Sequence, residues 1–403
     1  MSTLSNKKVF VAMSGGVDSS VTALLLKNQG YDVSGVFMRC FNIDGCAERD
    51  ALDARRVAEH LGIPFYTFDF EEEYKKEVVG YMIDGYRRGI TPNPDVMCNK
   101  HIKFGLFLKK ARELGADYIA TGHYVRLVSL SQHRLSTRSG GEPQSALSAP
   151  RSTEGGTKLA MPARAAAQKK LASFGLYEAK DKNKDQSYFL WTLTQEQLKY
   201  CFFPIGDYLK SEVRDIARKA GLPTAEKKDS QGICFLGKVA LDEFLKGYIP
   251  SRRGEVVTVN GERIGEHEGA WYYTIGQRHG LNLDDKNRLL KVKGKEETQA
   301  HYVAIKDIAT NTVVVAGGNN HPSLFRESIK ISEANFINPN IKMPDTIWVR
   351  IRYRQPLVLA KFMQLDSSIY QLIFAKPQKF VAPGQSAVFY SKDRELLGGG
   401  IIL

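Results

Sequence analysis

Four short apolar runs punctuate the first 120 residues: Val9–Met13, Val33–Met38, Pro64–Phe68 and Tyr118–Ala120. Each is bounded by glycine or polar residues and is too short for a buried helix, so each predicts a strand. Between them lie Val21–Gln29, Arg49–Leu61, Glu72–Arg88 and Ile102–Leu114, which predict helices. In the second of these, Leu52, Val57, Ala58 and Leu61 recur at roughly helical spacing. Strands and helices alternating over short links predict an α/β fold with a doubly wound parallel sheet, whose ligands lie at the carboxyl ends of the strands.

The pattern changes twice further on. Residues 129–182 are rich in Ser, Ala, Gly, Pro and Arg and carry no convincing core periodicity; this stretch reads as a disordered insertion in a surface loop. Beyond residue 206 a helix stops at Gly221. Asn260-Gly261 then marks a hairpin between two short strands. From about residue 281 short alternating strands follow (Tyr302–Ile305, Val313–Ala316, Thr346–Tyr353, Val358–Met363, Ala387–Tyr390), and they predict a small β-barrel. The expected organisation is an α/β domain over 1–205, a central domain over 206–280, and a C-terminal β-barrel over 281–403.

Composition narrows the class without naming it. The 403 residues are 43% hydrophobic and 25% charged, as in ordinary globular proteins. No run approaches the ~18 apolar residues of a membrane span, and the N-terminus lacks the apolar core of a signal peptide, so the cytoplasm and no membrane contact are expected. The net charge of +13 suits a polyanionic partner, although residues 129–182 alone hold nine Lys/Arg against four Asp/Glu. Five cysteines without a CxxC pair argue against a disulfide framework or a zinc site, and no protein metal site is expected.

The chemistry begins at Ser14-Gly15-Gly16-Val17-Asp18-Ser19-Ser20, between the first strand and the first helix. A helix N-terminus presents unbonded N–H groups and partial positive charge, and glycines let the main chain approach an anion. With no lysine after the glycines this is not a Walker A loop. Asp18 fits beside a phosphate only as a loop-orienting group or a magnesium ligand. Two cysteines lie in polar surroundings: Cys98, at the end of the Pro- and Asn-rich stretch Thr91–Asn99, read as an extended rigid loop, and Cys234, closing Asp229–Phe235. Accessible polar settings favour reactive thiols. Cys40 and Cys201 read as small buried hydrophobes. Arg350, Arg352 and Arg354 alternate along a predicted strand and would share one basic face.

These motifs resemble the tRNA-specific 2-thiouridylases of the MnmA/TrmU family. The resemblance rests on SGGVDSS (14–20), NPDVMCN (93–99), ATGHY (120–124), NKDQSYFL (183–190), KKDSQGICF (227–235), YTIGQRHGL (273–281), RIRYRQ (350–355) and PGQSAVFY (383–390). It implies a PP-loop ATP pyrophosphatase that adenylates the C2 oxygen of the wobble uridine in a tRNA anticodon stem-loop, using ATP with transient Mg2+, and replaces that oxygen with sulfur. The ATP site would be Ala12, Met13, Ser14, Gly15, Gly16, Val17, Asp18, Ser19, Met38 and Gly122. Cys234 would carry a persulfide from a donor protein, Cys98 would resolve the intermediate through a Cys98–Cys234 disulfide, and Asp95 would act in the catalytic step. Asn93, Pro94, Asp95, His123, Lys184, Asp185, Gln186, Arg352, Tyr353 and Gln355 would meet the tRNA. A monomer is expected. Two other readings compete: a PP-loop amidating synthetase, which leaves the cysteines without a role, and a non-catalytic tRNA-binding protein, which an intact SGGVDSS disfavours.

Overall fold

In Lys8–Ala12 (β1) the apolar side chains alternate between two cores, because successive residues of a strand face opposite sides. Phe10 and Ala12 join one cluster, Val9 and Val11 the other. A strand buried on both faces belongs at the centre of a covered parallel sheet. In a computed structural model describing residues 7–41, 43, 45–130, 173–228, 235–237, 239–283, 289–292, 295–298 and 300–403, β1 occupies that place. It pairs in parallel with Asp32–Arg39 (β2) and Tyr118–Thr121 (β4); Phe65–Asp69 (β3) and Cys201–Phe202 form the two edges.

Helices cover both faces. Val17–Asn28 (α1), Cys46–Leu61 (α2) and the Lys210–Lys219 helix bury Val21, Val57, Val213 and Ala217 in the cluster beneath Val9 and Val11. Helical segments over 71–87 and 94–113 bury Tyr74, Val78, Ile102 and Phe104 on the opposite side. The doubly wound α/β expectation holds. Its boundary at residue 205 does not, since the Lys210–Lys219 helix packs on α1 as part of the first domain.

Two β assemblies follow. Strands Gly254–Thr258 and Arg263–His267 form the expected hairpin, and Thr312–Gly317 and His301–Asp307 extend the same sheet. The strands at 301–317 therefore belong to the central domain, and the barrel does not begin at residue 281. Six antiparallel strands from Phe325 to Ile402 make the barrel, which closes because Phe325–Phe336 pairs with both Tyr370–Lys379 and Glu395–Ile402. Phe174–Glu178, inside the stretch read as insertion, is a strand. It pairs with Val125–Ser129 and with Glu395 and Leu396, stitching the first domain to the barrel.

Candidate nucleotide and nucleic-acid site

The SGGVDSS turn leaves the carboxyl end of β1 and opens α1. Gly16 caps the helix in an extended conformation with no side-chain cap hydrogen bond, so the first-turn amides keep their donor capacity for an anion. Gly15 has φ +72°, and a Cβ there would lie 2.3 Å from the Asp50 carbonyl oxygen of α2. A Cβ on Gly122 would lie 2.8 Å from the Ser19 nitrogen, so the end of β4 abuts the same turn. Ser19 Oγ accepts from Ser14 N at 3.2 Å and donates to Gly16 O at 3.1 Å. Ala12 and Met13 are buried beneath the turn, and Met38 is partly buried near the end of β2. This uncapped, glycine-walled cradle fits a phosphate group.

The Asp18 carboxylate accepts from Tyr124 Oη at 2.8 Å and is bridged by Lys210 Nζ at 2.7 and 2.8 Å. It orients the loop through these partners, and any cation bound there would share it with Lys210. The Lys210 pairing spans 192 residues of sequence and had no local signal.

Thr91–Asn99 is not an extended loop throughout. Asn93 is an N-cap whose Oδ1 accepts from Val96 N at 3.3 Å, and Pro94 takes the first helical position. Helix then runs through Pro94–Met97 and Cys98–Phe107. Asn-Pro is a helix-start signal, because proline's missing N–H costs nothing in the first turn. Asp95 and Cys98 therefore stand one helical turn apart and share a face. Burial pushes the Asp95 carboxyl above its usual range, with Lys103 opposing. Cys98 is buried at 4% exposure. Beside it, Asn99 donates to Phe189 O at 3.2 Å, while its buried Oδ1 has no hydrogen-bond partner among the described residues.

His123 is buried against Phe104 and Phe203, with Nδ1 2.7 Å from Thr121 Oγ1. Burial, aided by Lys103, holds its pKa well below the usual value, so the ring is neutral. Cys201, by contrast, is wholly structural: its thiol donates to Gln197 O at 3.2 Å, and burial drives its pKa far up.

The basic stripe is overturned. The strand Thr346–Arg350 ends at its first arginine, residues 351–354 turn, and Arg354 adopts φ +66°. Arg350 points inward to Glu178 (2.8 Å) and Asp185 (3.0 Å), whose side chains are 4% and 1% exposed. Asp185 also accepts from Ala179 N and the Ser187 hydroxyl. Its carboxylate is thus engaged within the protein, at the wall of a cavity of about 270 Å³ that Arg350, Lys182, Asn183, Lys184, Tyr353 and Arg354 also line. Burial lowers the pKa of Arg352. Gln186 Oε1 accepts from Tyr124 N at 3.0 Å, linking this segment to the residue that holds Asp18. Tyr353 packs on Phe189 with the rings tilted and their centroids 4.5 Å apart, and the Gln355 backbone N–H closes the turn onto Arg352 O. The structure thus brings the 182–186 and 350–355 segments together.

Cys234 lies outside the described residues. The chain approaches it from Lys227, which is ion-paired with Asp50 and Asp53 of α2 at 2.7 and 2.6 Å, and leaves it at Phe235, packed on Phe41 and Tyr74. Asp50 also faces Gly15, so Lys227 stands beside the phosphate loop.

A strand-end glycine turn on a parallel sheet, followed by two β assemblies, defines a modular nucleotide-binding protein of the HUP class. Three family models match in series: the tRNA methyl transferase HUP domain (residues 7–238), the tRNA methyl transferase PRC-barrel domain (242–317) and the aminomethyltransferase beta-barrel domain (326–402). Among curated relatives, the tRNA-specific 2-thiouridylase MnmA of Tolumonas auensis is 42% identical, covering 100% of this chain and 98% of its own. The enzyme of the same name from Streptococcus thermophilus is 43% identical, covering 100% and 96%, and that of Listeria monocytogenes is 41% identical, covering 99% and 95%. The chain belongs to the MnmA family of tRNA-specific 2-thiouridylases.

Proposed function

We propose that this chain is a tRNA 2-thiouridylase, a sulfurtransferase that consumes ATP and converts the wobble uridine of tRNA to 2-thiouridine, releasing AMP and pyrophosphate. Within the fold, the observation that carries the reading is one helical turn presenting Asp95 and Cys98 together, in a domain whose strand ends hold a glycine cradle for phosphate.

A C2 carbonyl is a poor electrophile, and adenylation of its oxygen supplies the leaving group. The first-turn amides of α1 bind the phosphates, with Ser14 and Ser19 completing the cradle. Lys210 balances Asp18, whose carboxylate would hold the magnesium ion that accompanies the nucleotide and neutralises charge on its phosphates. Lys184, Tyr353 and Arg354 grip the tRNA, and Asn93-Pro94 meet the extracted base; a flipped base suits a rigid pocket. The terminal sulfur of a Cys234 persulfide, supplied by a donor protein, attacks C2 and displaces AMP. The Cys98 thiolate then attacks Cys234 Sγ and breaks the S–S bond, so the outer sulfur stays on C2 and a Cys98–Cys234 disulfide forms. An external thiol reductant returns the pair to the thiol state. Asp95, whose pKa burial raises, can hold and transfer a proton. The protein acts as a monomer. No helix among the described residues is long and apolar enough to cross a membrane.

The test incubates protein, ATP, magnesium, a persulfide source and tRNA, then digests the tRNA and seeks 2-thiouridine by mass spectrometry. Wild type yields the product, and Cys98→Ala and Cys234→Ala yield none. Normal thiolation by either variant would sink the mechanism.

A further inference from the structure

The motifs at 273–281 and 383–390 have no part in the chemistry above, yet both converge on the two residues before Asn93. Thr91 N donates to Pro383 O at 2.8 Å. Gly384, at φ +89°, comes so close that a Cβ would lie 3.0 Å from the Thr91 backbone. Gln385 Nε2 donates to Thr91 O at 2.9 Å and to Pro92 O at 3.3 Å. The next residue, Ser386, accepts from Tyr188 Oη and Trp191 Nε1, each at 3.0 Å. From the other side Thr91 Oγ1 meets Thr274 Oγ1 at 3.3 Å, and Pro92 packs on Gly85, where a Cβ would sit 2.7 Å from its ring.

These contacts fix the peptide planes on either side of Pro92. The Pro92–Asn93 plane sets the entry of Asn93, whose side chain caps the turn bearing Asp95 and Cys98. Resting on the thiouridylase reading, we propose that Gln385 is a positioning residue for the reaction: the barrel's Pro383–Ser386 turn holds the catalytic turn in register and does more than offer a surface to tRNA. Gln385 touches neither Asp95 nor Cys98. It acts through two carbonyls, where its paired N–H groups are the donors.

Gln385→Leu keeps the volume and removes both donors, and Gln385→Glu places acceptors against two carbonyl oxygens. Each variant is compared with wild type in single-turnover thiolation, tRNA affinity, and mass-spectrometric alkylation of Cys98 and Cys201 in the full chain. At saturating tRNA the rate falls about tenfold, as two neutral hydrogen bonds allow, and tRNA affinity stays within about twofold. Cys98 alkylates about fivefold faster while Cys201, in the first domain's edge strand, stays protected. An unchanged rate and unchanged Cys98 labelling in Gln385→Leu overturn the proposal. So does an equal rise at both cysteines, which marks general loosening. If wild type forms no 2-thiouridine, the functional reading fails, and the labelling contrast still decides whether Gln385 holds the turn.

Discussion

At Asp95 the needs of chemistry and of folding oppose each other. Its burial favours the protonated carboxyl, so the native state keeps that proton to higher pH than the unfolded chain, whose aspartates titrate near 3.8. Ionisation then costs stability that is absent below that pH and accrues as pH rises through the native value. Asp95→Asn removes the cost. We expect a higher Tm than wild type at pH 7 and a gap that narrows toward pH 4, measured by calorimetry, while thiolation falls by about a hundredfold or more. Lys210 makes a second case: its Nζ is pinned to Asp18 at the mouth of the phosphate cradle. Lys210→Met leaves Asp18 without its cation, and pyrophosphate release should fall by about tenfold or more, read in a coupled phosphate assay at saturating ATP.

Among the elements, the strand ending at Arg350 has the largest structural stake. One guanidinium serves two carboxylates that are almost fully buried, on Glu178 and Asp185. Arg350→Met leaves Asp185 without a cation and Glu178 with only the exposed Lys182 at 3.2 Å, and should destabilise by about 3–5 kcal/mol in urea unfolding; adding Glu178→Gln and Asp185→Asn should restore most of it, because neutral partners no longer need the cation. Sequence pattern misread this element for a physical reason. Alternation places residues on a face only while a strand continues, and Arg354 at φ +66° shows that it does not. The parallel sheet was legible, since apolar runs buried on both faces have few alternatives. Cys98's helix is legible too in Asn93-Pro94, a cap and first turn that the density of Pro and Asn around them disguises as loop composition. The boundaries at 205 and 281 failed because pairing partners, not local periodicity, assign the Lys210–Lys219 helix and the strands at 301–317. Nothing local could reveal that Gln385 reaches Thr91, since their contact spans 294 residues.

For the molecule as a whole, the stretch read as an insertion poses the remaining question, and its ends answer part of it. The disorder expected over 129–182 does not hold for residues 129–130 and 173–182, and the rest of that stretch, 131–172, lies outside the described residues. On either side, Val125–Ser129 and Phe174–Glu178 pair in antiparallel register, and Leu130 N donates to Ser173 O at 2.9 Å. The described ends at Leu130 and Ser173 thus stand one hydrogen bond apart, a separation that a two-residue turn spans. Replacing 131–172 by an Asn-Gly turn should therefore preserve the hairpin and the seam it makes with Glu395 and Leu396. The seam matters because it leads directly into Glu178 and Asp185, which hold Arg350, and into the Lys184 cavity where tRNA is expected. The expected outcome is a Tm unchanged or slightly raised and a thiolation rate within about twofold of wild type at saturating tRNA. The deletion also removes net positive charge, so any general attraction it adds would appear as weaker tRNA binding at low salt that vanishes at high salt. A loss of affinity persisting at high salt would instead make the segment a specific tRNA contact, and inert tethering would be wrong.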